Sequence, residues 1–236
     1  MNILAFESSA VAASVAIMRD GRLLAESACN RGNTHSETLL PMAENLLDRC
    51  GLSTADVDLF AVSVGPGSFT GVRIGVATVK GLAFGKGKPC VGVSTLEALA
   101  ENLSVVPNAR ICPVMNARRD QVYTALFRNT EHGLERLLPD SAISVSELEA
   151  ALADDPAPVF FVGDGYDLVA GRIRHDFFPT PERLRHQSAA SVAEVARRAY
   201  LAGRFTTDAA LAPVYLRPSQ AERTRAEQLK SSPKGC

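Results

Sequence analysis

Nowhere in the 236 residues does an apolar stretch approach the roughly 20 residues that a membrane-spanning helix needs. Residues 1–7 reach an acid at Glu7 and carry no basic leader, which argues against a signal peptide. A cytosolic protein that touches no membrane is the expectation. Five cysteines, Cys29, Cys50, Cys90, Cys112 and Cys236, are odd in number, widely spread and free of any Cys-x-x-Cys pair. That excludes a legible disulfide framework or zinc ribbon and fits a reducing compartment. The four histidines, His35, His132, His175 and His186, show neither His-x-x-x-His nor His-Glu-x-x-His spacing, so no metal centre and no cofactor are expected. A net charge of -1 supplies no global field that would hold nucleic acid by counterion release, so any contact with RNA has to be local.

What is present is a chain with 46% hydrophobic residues, enough for a proper core. Apolar runs at 2–7, 11–18 and 23–28, the last two separated by Arg19-Asp20-Gly21-Arg22, predict a three-stranded antiparallel meander. Thr34-His35-Ser36-Glu37 reads as a capping box for an amphipathic helix with Leu39, Met42, Ala43 and Leu46 on one face, a kink at Pro41 and a stop at Gly51. A strand at 58–64, a glycine loop, a helix over 70–84, a strand at 89–93 and a helix over 95–103 follow. This order predicts an α/β architecture, a mixed sheet flanked by helices. Further strands are read at 110–115, 121–127 and 159–162, with capping boxes at Ser146 and Ser191 for two later helices. The expected division is a lobe over 1–104 that carries partner-binding helices, a second lobe over 105–216 and a basic tail over 217–236. The tail holds five Lys or Arg against two Glu, and it is read as an exposed, solvated segment, with an RNA-facing arm as the alternative.

The most informative segment is Gly65-Pro66-Gly67-Ser68-Phe69-Thr70-Gly71-Val72-Arg73-Ile74-Gly75. A glycine loop between a strand and a helix places backbone N–H groups at the positive helix end, ground that suits an anion. It is not a Walker A loop, because no lysine follows the glycines, and its spacing misses the dinucleotide fingerprint by one residue. Ser68 lacks the second glycine of a nucleophile elbow. Gly65, Pro66, Gly67, Ser68, Phe69, Thr70 and Arg73 therefore stay open between facing a nucleotide and making a tight turn. Gly71 and Gly75 share one helix face and permit close approach of another backbone, the chain's own or a partner's. Each interior glycine costs about 1 kcal/mol relative to alanine, which something should offset.

Ile3-Leu4-Ala5-Phe6-Glu7-Ser8-Ser9, Thr34-His35-Ser36-Glu37 with Leu39-Leu40-Pro41, and the Gly65 to Gly75 segment resemble the bacterial TsaB family. Val91-Gly92-Val93-Ser94-Thr95-Leu96-Glu97, Met115-Asn116-Ala117-Arg118-Arg119-Asp120-Gln121-Val122-Tyr123 and Pro213-Val214-Tyr215-Leu216-Arg217 extend the resemblance. The family usually has Asp-Thr-Ser where this chain has Glu7-Ser8-Ser9, and Asp where it has Asn116. The resemblance implies a two-lobed actin-like ATPase (ribonuclease H-like) fold. It also implies a non-catalytic subunit that binds and activates a TsaD-like catalytic subunit, together with a TsaE-like ATPase, in making threonylcarbamoyladenosine in tRNA. In TsaD a His-Leu-Glu-Gly-His motif holds a metal, whereas the corresponding stretch here is Thr95-Leu96-Glu97-Ala98-Leu99. The first turn, acidic in TsaD-like chains, reads Ala10-Val11-Ala12. The expected docking face, for the partner or for a homodimer in its absence, comprises Leu39, Met42, Ala43, Leu46, Gly71, Gly75 and Thr78, with tRNA reached through the assembly. The rival readings are a stand-alone actin-like kinase or ATPase and a metallopeptidase, which the missing carboxylates and the missing His pair oppose.

Overall fold

The structure, a computed structural model, describes residues 1–32, 34–154 and 156–217. Its first sheet is opened by β1 (Asn2–Glu7), β2 (Ala13–Arg19) and β3 (Arg22–Cys29), the expected meander. Asp20 and Gly21, at φ 51° and 80°, form the left-handed two-residue turn that matches the twist of paired strands. Helix α1 (His35–Arg49) leads to β4 (Leu59–Gly65), α2 (Phe69–Ala83) and β5 (Cys90–Ser94), giving the order β3-β2-β1-β4-β5. β4 pairs in parallel with both β1 and β5. Alternation along β1 sends Leu4 and Phe6 to the face covered by α1 and α2, and Ile3 and Ala5 to the other.

The second sheet repeats this plan. β6 (Arg110–Asn116), β7 (Gln121–Thr130) and β8 (Gly133–Ser144) make an antiparallel meander, and β9 (Val159–Val162) and β10 (Phe177–Phe178) continue it in parallel. The order β8-β7-β6-β9-β10 mirrors the first sheet strand for strand. Helix α3 (Thr95–Glu101) joins the two, with Ala98 toward the first sheet's core and Leu96, Leu99 and Ala100 packed with Ile111, Phe127 and Val162 of the second. Helices α4 (Val145–Leu152) and α5 (Tyr166–Ala170) cover the opposite face of the second sheet.

Several expectations change. Thr34 makes no side-chain cap at α1, whose first turn is closed by the Glu37 N–H donating to the Thr34 carbonyl. Ser144, not Ser146, caps α4 through a reciprocal box with Glu147. Ser188, not Ser191, caps α6 (Ala189–Leu201). In both latter cases the chain held an acceptor at the true start that the apolar periodicity did not mark. α6, expected in the second lobe, packs Ala189, Val192, Ala193 and Ala196 onto the first sheet, and Leu211 joins that sheet's other core. We therefore place 189–215 with the first lobe. Among the described residues no helix is long and apolar enough to cross a membrane. Of the basic tail, all beyond Arg217 lies outside the described residues.

Candidate functional site

β1 and β4 run in parallel, so the turn after Glu7 and the loop after Gly65 lie at the same end of the sheet, where open α/β sheets place ligands. Here the two segments close on each other. The Ser68 N–H donates to the Ser9 carbonyl at 2.6 Å, and the Ser68 hydroxyl accepts from the Gly71 N–H at 3.3 Å, capping α2. A Cβ on Gly67 would overlap the Ser9 carbonyl oxygen, and one on Gly71 the Ser8 carbonyl oxygen. At Gly75 it would strike the Ser8 hydroxyl, which itself donates to the Gly71 carbonyl at 2.9 Å. Gly71 and Gly75 thus form a notch in α2 that seats Ser8. Gly65, at φ 117°, does the same for the Val214 carbonyl, and the Val214 N–H donates to Val64 at 2.7 Å.

Glu7 sits beneath this closure with no exposure. Its carboxyl accepts from the Ser9 N–H at 2.6 Å and from the Ser63 hydroxyl. Burial pushes it above its ordinary value of 4.5, against these hydrogen bonds and the charge of His35. His35 Nε2 meets the Ala10 carbonyl at 2.8 Å, which assigns the proton to Nε2. Because the folded pKa is raised, the native state binds the Glu7 proton more tightly than the unfolded chain does. The stabilisation is therefore complete below the unfolded carboxylate pKa and is lost as pH rises through the folded one. Glu7→Gln, whose amide oxygen can accept from the Ser9 N–H and whose NH2 can donate to the Ser63 hydroxyl oxygen, should stabilise the protein by about 1 kcal/mol at neutral pH. Urea midpoints for both proteins at several pH values provide the check. The advantage of the variant should grow with pH, and a difference that stays flat would rule out the buried carboxyl as its source.

The expected site residues separate into two groups. Leu39, Ala43 and Leu46 are buried in the chain's own core, and Gly71 and Gly75 are consumed by Ser8, so none of the five is available to a partner. A bulky residue at Gly75 therefore tests internal packing, not docking. Met42 and Thr78 are half-buried, the latter donating within its helix to Ile74 at 2.9 Å. The exposed apolar residues of the α1 and α2 layer are instead Leu40, Pro41, Ala77, Gly81 and Phe84, the last 77% exposed, among exposed polar residues that include Glu37, Glu44, Asp48, Arg49 and Arg73. Gly81 has open space where its Cβ would be. In the loop, Gly65 and Pro66 are buried, Gly67 and Phe69 half-buried, and Ser68, Thr70 and Arg73 exposed. Two of its backbone donors, the N–H groups of Ser68 and Gly71, are already engaged within the chain.

Arg73 finds its partners far along the sequence. Its guanidinium lies 3.9 Å from the centre of the Phe69 ring and donates to the Tyr215 hydroxyl at 2.8 Å, and the Phe69 and Tyr215 rings stack at 4.6 Å. Lys80 similarly donates to the carbonyls of Ala209 and Leu211. Sequence reasoning missed this strap of 207–217 across α2, because nothing local in Pro213-Val214-Tyr215 marks a contact so distant in the chain.

On α3, Thr95 and Leu99 have no exposure. The two positions at which the resemblance implies metal-holding histidines in TsaD are core positions here, and a threonine and a leucine do not fit a metal. Among the described residues no group of three His, Cys, Asp or Glu is placed to hold one.

Comparison with known proteins identifies the family and the fold. The family model described as TsaD, tRNA N6-adenosine threonylcarbamoyltransferase, matches residues 27–224. The tRNA threonylcarbamoyladenosine biosynthesis protein TsaB of Bacillus subtilis is 36% identical over 163 residues, 69% of this chain and 71% of the relative. The structure of YeaZ from Pseudomonas aeruginosa, 30% identical, superposes with a TM-score of 0.79 over 91% of this chain and 99% of that one. The ethanolamine utilization protein EutJ of Carboxydothermus hydrogenoformans, 9% identical with a TM-score of 0.50, shares the fold alone. The fold is that of the actin-like ATPases, and the chain belongs to the TsaB family of tRNA threonylcarbamoyladenosine biosynthesis proteins.

Proposed function

We propose that this chain is a non-catalytic subunit for threonylcarbamoyladenosine formation in tRNA, acting in the cytoplasm by docking onto and ordering a TsaD-like catalytic subunit in concert with a TsaE-like ATPase. The observation that carries the reading is its similarity to TsaB proteins, with Thr95 and Leu99 in the core where TsaD has metal ligands. The Glu7 carboxyl, buried and hydrogen-bonded, is not placed to organise a metal phosphate complex.

The docking face we propose is the outer surface of α1 and α2, to which the exposed Leu40, Ala77, Gly81 and Phe84 and the half-buried Met42, Ile74 and Thr78 belong. A glycine in an exposed helix interior sacrifices about 1 kcal/mol of helix propensity. Gly71 and Gly75 recover theirs through Ser8. Gly81 has nothing within 4 Å of its Cβ position among the described residues, and close approach of a partner's backbone would account for it. The same face would serve a homodimer when the partner is absent.

Reconstitution tests the whole reading. The chain is mixed with its TsaD-like and TsaE-like partners, tRNA, threonine, bicarbonate and ATP, and product is compared for no chain, the wild type and Gly81→Leu. Product should depend on the wild-type chain. The variant should be slightly more stable alone, by about 0.5–1 kcal/mol from propensity, yet deficient in co-purification and product. Full product without the chain would overturn the function, and full product with Gly81→Leu would overturn the face.

A further inference from the structure

We propose that the β6–β7 turn, Arg217 and the Phe69–Arg73–Tyr215 stack form one RNA-contacting surface, with phosphates on the arginines and an unpaired base against Tyr215. The choice of tRNA as the RNA rests on the function proposed above.

The turn is unusual for what it spends on two arginines. Arg118, Arg119 and Asp120 follow one another at φ 63°, 55° and 58°, the left-handed region, without a glycine among them. The β2–β3 turn of the same architecture uses Asp-Gly and avoids this steric penalty at its second position. Both arginines are exposed, and neither has an ionic partner among the described residues. The acid within the turn does not neutralise them, since Asp120 pairs with Arg172 at 2.8 Å. The other nearby carboxylate, Asp164, is turned onto the Asn116 backbone N–H.

A third arginine joins this pair. Arg217 donates to the Ala117 carbonyl at 2.8 Å and so draws the end of the strap against the turn. Two residues back stands Tyr215, 41% exposed, stacked on Phe69 and hydrogen-bonded by Arg73. Residues 215–217 therefore run from an aromatic–guanidinium stack to a cluster of arginines. Arginines beside an exposed aromatic suit a single-stranded segment, because phosphates take the charges and any base offers a face to the ring. A polyanion without bases would use only the former. With a net charge of -1 the chain has no general attraction for RNA, so binding should depend on this local set.

The test uses the full-length chain, an unmodified tRNA transcript and heparin as a base-free polyanion, with affinities measured by fluorescence anisotropy between about 50 and 200 mM salt. Arg118→Gln with Arg119→Gln should weaken tRNA binding about tenfold and reduce the slope of log affinity against log salt by about 1–2, the signature of lost phosphate contacts. Tyr215→Ala should weaken tRNA several-fold without changing the slope, and Tyr215→Phe, which keeps the ring, should bind like the wild type. Arg119→Gly should raise the melting temperature while lowering tRNA affinity, since it relieves the turn as it removes a charge. The proposal is overturned if the full chain fails to bind tRNA, if the arginine variants bind it normally, or if heparin competes equally and Tyr215→Ala is silent. Wild-type-like binding by every variant, in a chain on which product still depends, discards this surface and leaves the proposed function standing.

Discussion

Replacing Gly71 by alanine should cost the isolated chain about 3 kcal/mol, the upper part of the range for forcing atoms into a filled core. The new methyl would overlap the Ser8 carbonyl oxygen, a backbone atom held by the β1 strand, with His35 Cδ2 3.1 Å away on another side. Neither α2 nor the turn has room to retreat, because Ser8 donates to Gly71 and Ser68 donates to Ser9 across the same contact. Gly75→Ala should behave differently. Its obstacle is the Ser8 hydroxyl, a side-chain atom, so Ser8→Ala should restore part of the loss. The same Ser8→Ala change should leave Gly71→Ala as damaged as before or worse, since it removes the hydrogen bond and not the clash. Urea midpoints at constant slope for the three single and two double variants measure this coupling. Equal rescue at both glycines would show that the notch is not what these residues are for.

This contrast marks how far the sequence could be read. The first sheet was legible, because short continuous apolar runs, an Asp-Gly turn and helices of ordinary length each carry a local signal. The glycines of α2 were legible as an anomaly but not as a contact. Glycine permits close approach without saying what approaches, and here Ser8, 63 residues away, answers for two of them. Leu39, Ala43 and Leu46 show the same ambiguity from the other side: an apolar stripe fits a partner's surface as well as the chain's own core, and here it is the core. β8 escaped notice because Leu137-Leu138-Pro139-Asp140 breaks alternation, which an edge strand tolerates. The return of α6 to the first sheet and the bond from Arg73 to Tyr215, 142 residues apart, depend on tertiary closure that no local pattern records.

Grafting histidines at Thr95 and Leu99, to mimic the metal-holding pair of the TsaD helix, should destroy the fold before it creates a site. Leu99 is fully buried, packed among Leu96, Ile111 and Phe127 and facing Gly163, where a Cβ would lie 3.3 Å from a Leu99 methyl. Losing a buried leucine costs about 2–5 kcal/mol, and the imidazole would add unpaired polar atoms in the same space. The Thr95 position is no more accommodating. Its side-chain hydroxyl is buried without a hydrogen-bond partner among the described residues. Thr95→Val, which deletes only that hydroxyl, should therefore hold or raise stability, while Thr95→His should lower it by an amount comparable to Leu99→His. Thermal melts of the three single variants and the double, with metal content measured on whatever folds, decide the matter. A folded double variant carrying one equivalent of metal would mean that α3 still keeps an open, catalytic-type face. Loss of cooperative melting in both histidine variants, with Thr95→Val intact, would mean that this helix is core and cannot hold a metal at these two positions.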